Sequence, residues 1–419
     1  MFHWKRNVIV LCIGQLFTMV GFGAYLSFIP YYVQELGAQS YEEATRWLAL
    51  FEGGSALAMM LASPIWGGLA DRYGRKMMLV RATAAGAVTA FLMSLARTPI
   101  ELVIIRVVQG GLCGTVSAAI TLVATGTPEA HLGVALGMMQ TVQFVGQAAG
   151  PLFGGVLADT LGYRAVFPIS AGLMACAVLL IVFLAEEEFK APVREGRTPI
   201  LGGRRAWAAV SSPNTAVMLL ILGVTRFAIA VLSPILSLYV KALSPGTERI
   251  ATLAGAVLSA TAVTSSAAAL FLGRLGDRVG QRRVLLICTI GAALVYVPQA
   301  FVATASQLMA LRAIQGVFLG GVMPTANALL AQSADRSRRG LLFGLSTSIQ
   351  AGGRALGPAL GAGVANLWGM SSVFLVTGGI FGVMALLVAG IVRTPSVAQA
   401  QDAGAISQSD LEPANIGRR

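Results

Sequence analysis

The chain has 419 residues, of which 56% are hydrophobic and only 11% charged. A soluble protein carries roughly 25% charged residues, so a water-soluble fold is excluded. With about 20 apolar residues needed per bilayer crossing, there is room for about twelve helices.

The elements follow in chain order. Phe2-His3-Trp4-Lys5-Arg6 precedes an apolar run from about Val8 to Val33. That run is too long for a signal peptide and lacks a small-residue cleavage site, so it reads as a retained first span. Further runs fall near 47–69, 77–96, 99–124, 133–157, 165–185, 214–240, 251–273, 284–304, 307–332, 341–365 and 372–392. The expected organisation is a six-helix half over 1–185, a polar linker over 186–212, a second six-helix half over 213–393 and a disordered tail over 394–419. Glu186-Glu187-Glu188, Arg194, Arg197, Arg204 and Arg205 mark the linker.

Charge sets the topology. The N-terminus, the even-numbered loops (Arg81 counted with the second) and the tail hold 21 of the 30 Lys and Arg. The odd-numbered loops hold five: Arg46, Arg97, Arg164, Lys241 and Arg249. This bias predicts cytoplasmic termini and explains the net charge of +12 as topology, without nucleic acid. Trp4, Trp47, Trp66, Trp207 and Trp368 fall near predicted span ends, as interfacial aromatics do. Cys12, Cys113, Cys176 and Cys288 are scattered through apolar runs, and the two His lie outside the spans. Neither a metal site nor a disulfide framework is predicted, and no cofactor is implied. No Gly-Lys dipeptide occurs, which excludes a GxxxxGK[ST] phosphate loop.

The halves repeat. Gly67-Gly-Leu-Ala-Asp71-Arg72-Tyr-Gly74-Arg75-Lys76 returns 206 residues later as Gly273-Arg-Leu-Gly-Asp277-Arg278-Val-Gly280-Gln281-Arg282. Arg106…Gln109-Gly110 returns as Arg312…Gln315-Gly316 at the same offset, while Gly150-Pro151 and Tyr32-Val33 return at 207. Two halves with the same in/out sense form a parallel repeat, the plan of transporters that rock about a midplane site.

On these residues, together with Trp4-Lys-Arg-Asn and Ser233-Pro-Ile-Leu-Ser-Leu-Tyr-Val240, the chain resembles the major facilitator superfamily, and within it the twelve-spanning drug:proton antiporters. The resemblance implies an all-α fold of two six-helix halves and transport by alternating access. It assigns the Asp71 and Arg75 loop to gating and links Arg106 to proton transfer.

The Gly67–Lys76 segment is expected to be a tight glycine-rich loop. Asp71 there can meet the positive end of a neighbouring helix, and Arg72, Arg75 and Lys76 can bind acids or anionic headgroups. The second copy, with Asp277, Arg278 and Gly280, is degenerate because Gln281 stands where Arg75 does. Gly146, Gly150 and Gly154 share one helix face beside Pro151 and Gly155, and Gly357-Pro358 repeats part of it. Small faces let helices approach closely; flexing of this seam during transport is the functional addition.

Charges inside spans cost at least ~2.5–3.5 kcal/mol each, and five are expected: Glu52, Arg106, Arg226, Arg312 and Arg354. Glu52 and Arg106 are the candidate proton-coupling pair, with Glu52 near the outer interface as the plainer alternative. Arg226, Arg312 and Arg354, with Gln15 and Gln143, are the candidate cavity lining, and the excess of arginine favours anionic or amphiphilic substrates. Gln109, Gln140, Gln147, Gln315, Gln350 and Asn327 are further donors and acceptors. The expected protein is a monomeric, proton-coupled exporter in the plasma (inner) membrane, with anionic lipid at its cytoplasmic loops. Symport uptake of an organic anion and a non-transporting membrane sensor are the alternatives; an enzyme is not expected.

Overall fold

The computed structural model describes residues 3–128, 131–187, 213–332 and 339–392. Most of the 186–212 linker and the 394–419 tail lie outside the described residues, as do the side chains of Gly67 and Asp71. Every regular element among the described residues is helical: α1 (His3–Ala24), α2 (Ile29–Glu35), α3 (Tyr41–Tyr73), α4 (Arg75–Leu95), α5 (Pro99–Leu112), α6 (Thr115–Gly126) and α7 (Leu132–Leu161), then α8 (Tyr163–Leu184), α9 (Pro213–Leu243), α10 (Ile250–Val279), α11 (Gln281–Gln299), α12 (Ala305–Gln332), α13 (Arg339–Trp368) and α14 (Met370–Ile391). Two spans are broken, α1–α2 and α5–α6, so fourteen helices make twelve membrane crossings.

Several helix starts are written locally. Ser40 accepts a hydrogen bond from the Glu43 amide, and Thr98, followed by Pro99, accepts one from Glu101; both are N-caps. Four connections shrink to a single glycine with positive φ: Gly74 (91°), Gly162 (84°), Gly280 (104°) and Gly369 (85°). A side chain there would strain the backbone. They recur at the repeat offset, Gly74 with Gly280 and Gly162 with Gly369.

This corrects the expected Gly67–Lys76 loop. The α3 helix runs through Gly67, Asp71 and Arg72 to Tyr73, α4 begins at Arg75, and Gly74 alone makes the turn. The apolar periodicity ends before the helix does because its last turns are polar yet remain helical. A second correction concerns the fourth span, which appears unbroken in sequence: it is interrupted at Cys113-Gly114, where Gly114 adopts φ +148°.

Among the described residues, nine helical segments are apolar and long enough to cross a membrane by composition alone. The crossings outside that set, α3, α7 and α13, include Glu52, Gln143 and Arg354 and pack along the boundary between the halves. α7 lies against α10, and α13 against α3. Successive crossings run in opposite directions, so the odd-numbered connections (36–40, 96–98, 162, 244–249, 300–304 and 369) collect at one end of the bundle. Beneath that odd-loop end, the N-terminal half packs an aromatic core of Tyr25, Phe28, Tyr32, Phe51 and Phe167, all essentially buried. Tyr25 and Phe167 stack at 6.0 Å, and Phe28 and Tyr163 at 5.5 Å.

Candidate functional site

The first polar cluster joins all four crossings from the first to the fourth. Arg106, two turns into α5, reaches Glu52 of α3 at 3.8 Å, and the two side chains are only 11% and 15% exposed. Its Nη1 donates to the Tyr25 hydroxyl (2.7 Å) and to Gln109 Oε1 (2.6 Å). The guanidinium also lies over the Phe51 and Tyr25 rings, at 5.0 and 5.3 Å. Gln109 is fixed in turn by donating to Thr89 Oγ1 at 2.9 Å. Glu52 Oε1 receives no hydrogen bond, and Arg106 Nε makes none. The pair is therefore held by charge, while neutral neighbours position the arginine. Glu52 sits eleven residues inside α3, roughly 16 Å along its axis from the helix start.

The matching cluster in the second half is built differently. Arg312 is 7% exposed and donates to Gln315 Oε1 at 3.0 Å, while Gln315 accepts a second bond from Gln299 at 2.9 Å. Tyr296 lies beside the guanidinium. The positions that match Glu52 and Tyr25 are Leu258 and Leu232, so the ion-pair partner is gone. Arg226 of α9 is surrounded by protein atoms yet keeps accessible surface. It donates to Gln350 of α13 at 3.2 Å, and Arg354, one turn on, is close enough for the two charges to repel. Among the described residues no carboxylate pairs with Arg226, Arg312 or Arg354. Gln15 of α1 and Gln143 of α7 are buried, each with an unpartnered Nε2.

At the even-loop end the basic residues of the repeated motif are largely tied to the protein. The Glu187 carboxylate accepts from the Arg75 and Lys76 amides, both at 2.8 Å, and so closes the N-terminus of α4. Lys76 Nζ donates to the Ala185 and Val182 carbonyls at the end of α8. The second half repeats the device, with Arg282 donating to the Ala389 carbonyl at 2.7 Å. Arg72 lies over Tyr73 at 5.3 Å. Gln281 donates to Asp277 at 2.8 Å, which fills the place of the missing arginine with a neutral bond. Arg278 ends α10 and Gly280 makes the corner.

Sequence reasoning missed Arg81. It stacks on Trp66 at 3.3 Å, and Trp66 donates to the Gly111 carbonyl at 2.7 Å. Trp66 thus packs against Arg81 and the α5 backbone two turns before the end of α3. Arg81 was hidden because it reads as the edge of a basic loop. Tyr25 was missed too, inside an apolar run; the mismatch of Tyr25 with Leu232 across the repeat was its available signal.

The glycine seam is real contact. A Cβ at Gly146 would sit 2.4 Å from Met19 Cβ, and one at Gly154 would sit 1.7 Å from the Ala24 carbonyl oxygen. Gly150 meets Gly23, all along α1. The second half adds Gly353 and Gly361 to Gly357, set against Gly223, Val231 and Ala230 of α9, with Pro358 buried beside them. Gly155 faces away from α1, toward Ala251 of the other half. Cross-half hydrogen bonds gather at the odd-loop end: Tyr31 to the Ser237 carbonyl (2.6 Å), Lys241 to Gln34 (2.7 Å), and the Ala251 and Thr252 amides to Asp159 (3.2 and 2.6 Å). The halves are shut at that end.

Two pseudo-equivalent helical halves, each holding a buried arginine, have the plan of a polytopic secondary transporter. The sequence profile of the Major Facilitator Superfamily matches residues 11–251 and 250–414, and the chain belongs to that family. It is 35% identical over 376 residues to the multidrug resistance protein MdtG of Serratia proteamaculans, covering 90% of this chain and 91% of that one. With MdtG of Klebsiella pneumoniae it shares 33% identity over 400 residues, 95% and 96% of the two chains. Its fold is similar to the nucleoside transporter NupG (TM-score 0.73, 16% identity, covering 93% and 100%) and to the human organic anion transporter TETRAN (0.68, 17%, covering 93% and 100%).

Proposed function

We propose that this protein exports drug-like amphiphilic or anionic compounds in exchange for protons, by alternating access, as a monomer in the plasma (inner) membrane. In this reading the odd-loop end faces outward and the termini face the cytoplasm, as the distribution of Lys and Arg supports. The name that the curated relatives carry, multidrug resistance protein, supports drug export.

The observation that carries the coupling is the Glu52–Arg106 pair at 3.8 Å. At that distance the attraction is about 4 kcal/mol for an effective dielectric near 20, comparable with the several kcal/mol that desolvating a carboxylate costs. The two terms are close, so a small change in separation alters their balance. Since Glu52 Oε1 accepts no hydrogen bond, protonating it breaks no other contact. Proton uptake frees Arg106, and return of the arginine expels the proton.

Arg226 and Arg354 with Gln350 form the anion-tolerant part of the cavity, Arg312 adds charge behind it, and Gln15 and Gln143 contribute donors. At the inner end, Asp71, Arg72, Arg75 and Lys76 with Gly67 and Gly74, and Asp277, Arg278 and Gly280 in the second copy, govern gating near anionic headgroups. The glycine seams flex as the halves rock. Uptake of an organic anion by symport is the second reading, favoured by the three unpaired arginines.

The test is Glu52→Gln in proteoliposomes under an imposed pH gradient. Gradient-driven accumulation should vanish while exchange between equal substrate pools continues. Accumulation by Glu52→Gln against a gradient overturns the coupling assignment. Accumulation by the unaltered protein in the same direction as the proton flux selects symport.

A further inference from the structure

We infer that Asp159 is a positioning residue of the transport cycle: it caps α10 from the opposite half and so clasps the two halves together at the odd-loop end. This rests on the orientation proposed above only in calling that end outer.

The α10 helix begins without a cap of its own. Its N-cap residue, Arg249, makes no side-chain capping bond, and its first turn contains no acidic residue. The first amides of a helix need acceptors, and the positive end of the helix dipole favours an anion. Asp159, in the last turn of α7, supplies both, with Oδ1 on the Ala251 amide and Oδ2 on the Thr252 amide. Below it, the backbones touch over two glycines. A Cβ at Gly155 would lie 2.3 Å from the Ala251 carbonyl, and one at Gly255 would lie 2.3 Å from the Pro151 carbonyl. Opening this end must draw α7 from α10, which strips the acceptor from an uncapped helix and leaves a bare carboxylate.

The pseudo-symmetric position shows that the arrangement is not a by-product of the fold. Asn366 of α13 matches Asp159, and Thr45 of α3 matches Ala251; they meet at 2.9 Å. There the helix needs no anion from outside, because α3 already has Ser40 as its cap and Glu42 and Glu43 in its first turn. The charge appears on the partner half only where the helix lacks its own.

A cis cap separates a clasp from plain helix stabilisation. In a background with the four native cysteines replaced, Ser237→Cys places a thiol at a buried outer position. A membrane-impermeant maleimide then reports how often that end opens. Asp159→Ala should raise the labelling rate about tenfold, the order expected for losing a charge-assisted hydrogen bond. Asp159→Asn, which keeps an acceptor and the shape, should fall between. Adding Arg249→Ser to Asp159→Ala restores a cap to α10 without rejoining the halves, so labelling should stay high. An unchanged rate in Asp159→Ala, or recovery in the double variant, overturns the clasp. Labelling of Ser237→Cys only from the cytoplasmic side would overturn the orientation instead, leaving the change in rate to judge the clasp.

Discussion

The two buried arginine clusters occupy matching places in the repeat and solve the same problem in opposite ways. Arg106 meets a carboxylate, a tyrosine and a glutamine, whereas Arg312 meets a glutamine and Tyr296, and leucines stand at the positions that match Glu52 and Tyr25. The glycine seams beside them have not diverged: Gly146, Gly150 and Gly154 correspond one for one to Gly353, Gly357 and Gly361, each set against a neighbouring helix. The repeat therefore keeps what packs and varies what titrates. Among the described residues, a carboxylate joins the arginine cluster in the first half alone, and the second cluster is left without a counter-charge.

The largest effects should fall where the halves agree. Gly154→Ala and Gly361→Ala would place a Cβ 1.7 and 1.9 Å from backbone oxygens, forcing helices apart at a cost of about 3 kcal/mol or more. Both should abolish the monodisperse peak in size-exclusion chromatography; loss in only one would break the equivalence of the seams. Next comes the pair that differs. Glu52→Ala leaves Arg106 buried without its counter-charge and should cost about 3 kcal/mol in unfolding experiments, most of it recovered by adding Arg106→Met.

Arg312→Met removes a charge that has no counter-charge among the described residues, so stability should hold or rise by about 1 kcal/mol. A loss as large as that of Glu52→Ala would mean that Arg312 has a counter-charge and would collapse the comparison. The converse graft, Leu258→Glu, should give Arg312 a partner and reduce transport of anions in the same liposome assay. The smallest effects belong to the shared helix-end ties. Lys76→Met should cost about 1 kcal/mol for two lost charge-assisted bonds, and Arg282→Met about half that for one, because both sites retain some access to water.

Much of this was legible in the sequence because a bilayer enforces simple rules. Twelve apolar runs and the 206-residue register define the architecture, since a lipid-exposed backbone leaves a helix few alternatives. The register also revealed Arg106 and Arg312 together. What it hid were features without hydropathy contrast. Helix ends continue through Asp71 and Asp277 because polar residues can still be helical, so the Gly67–Lys76 stretch resembled a loop. Arg81 and Trp66 hide each other by stacking. Glu187 seemed part of a solvated acidic run, yet it closes a helix across more than a hundred residues. Such pairings depend on where two helix ends meet, which no local pattern encodes.

The single-glycine corners give the bundle a mechanical grammar. Gly74, Gly162, Gly280 and Gly369 each join two full crossings with no spare backbone between them. A tilt of α3 must pass into α4, of α7 into α8, of α10 into α11 and of α13 into α14. The molecule thus contains four stiff levers, each pivoting at one residue. The crossings built from α1, α5, α9 and α12, which include Tyr25, Arg106, Arg226 and Arg312, stand outside every lever. Glu52 of α3, Gln143 of α7 and Arg354 of α13 ride on levers, so movement of the α3–α4 lever changes the distance between Glu52 and the Arg106 that stands outside it.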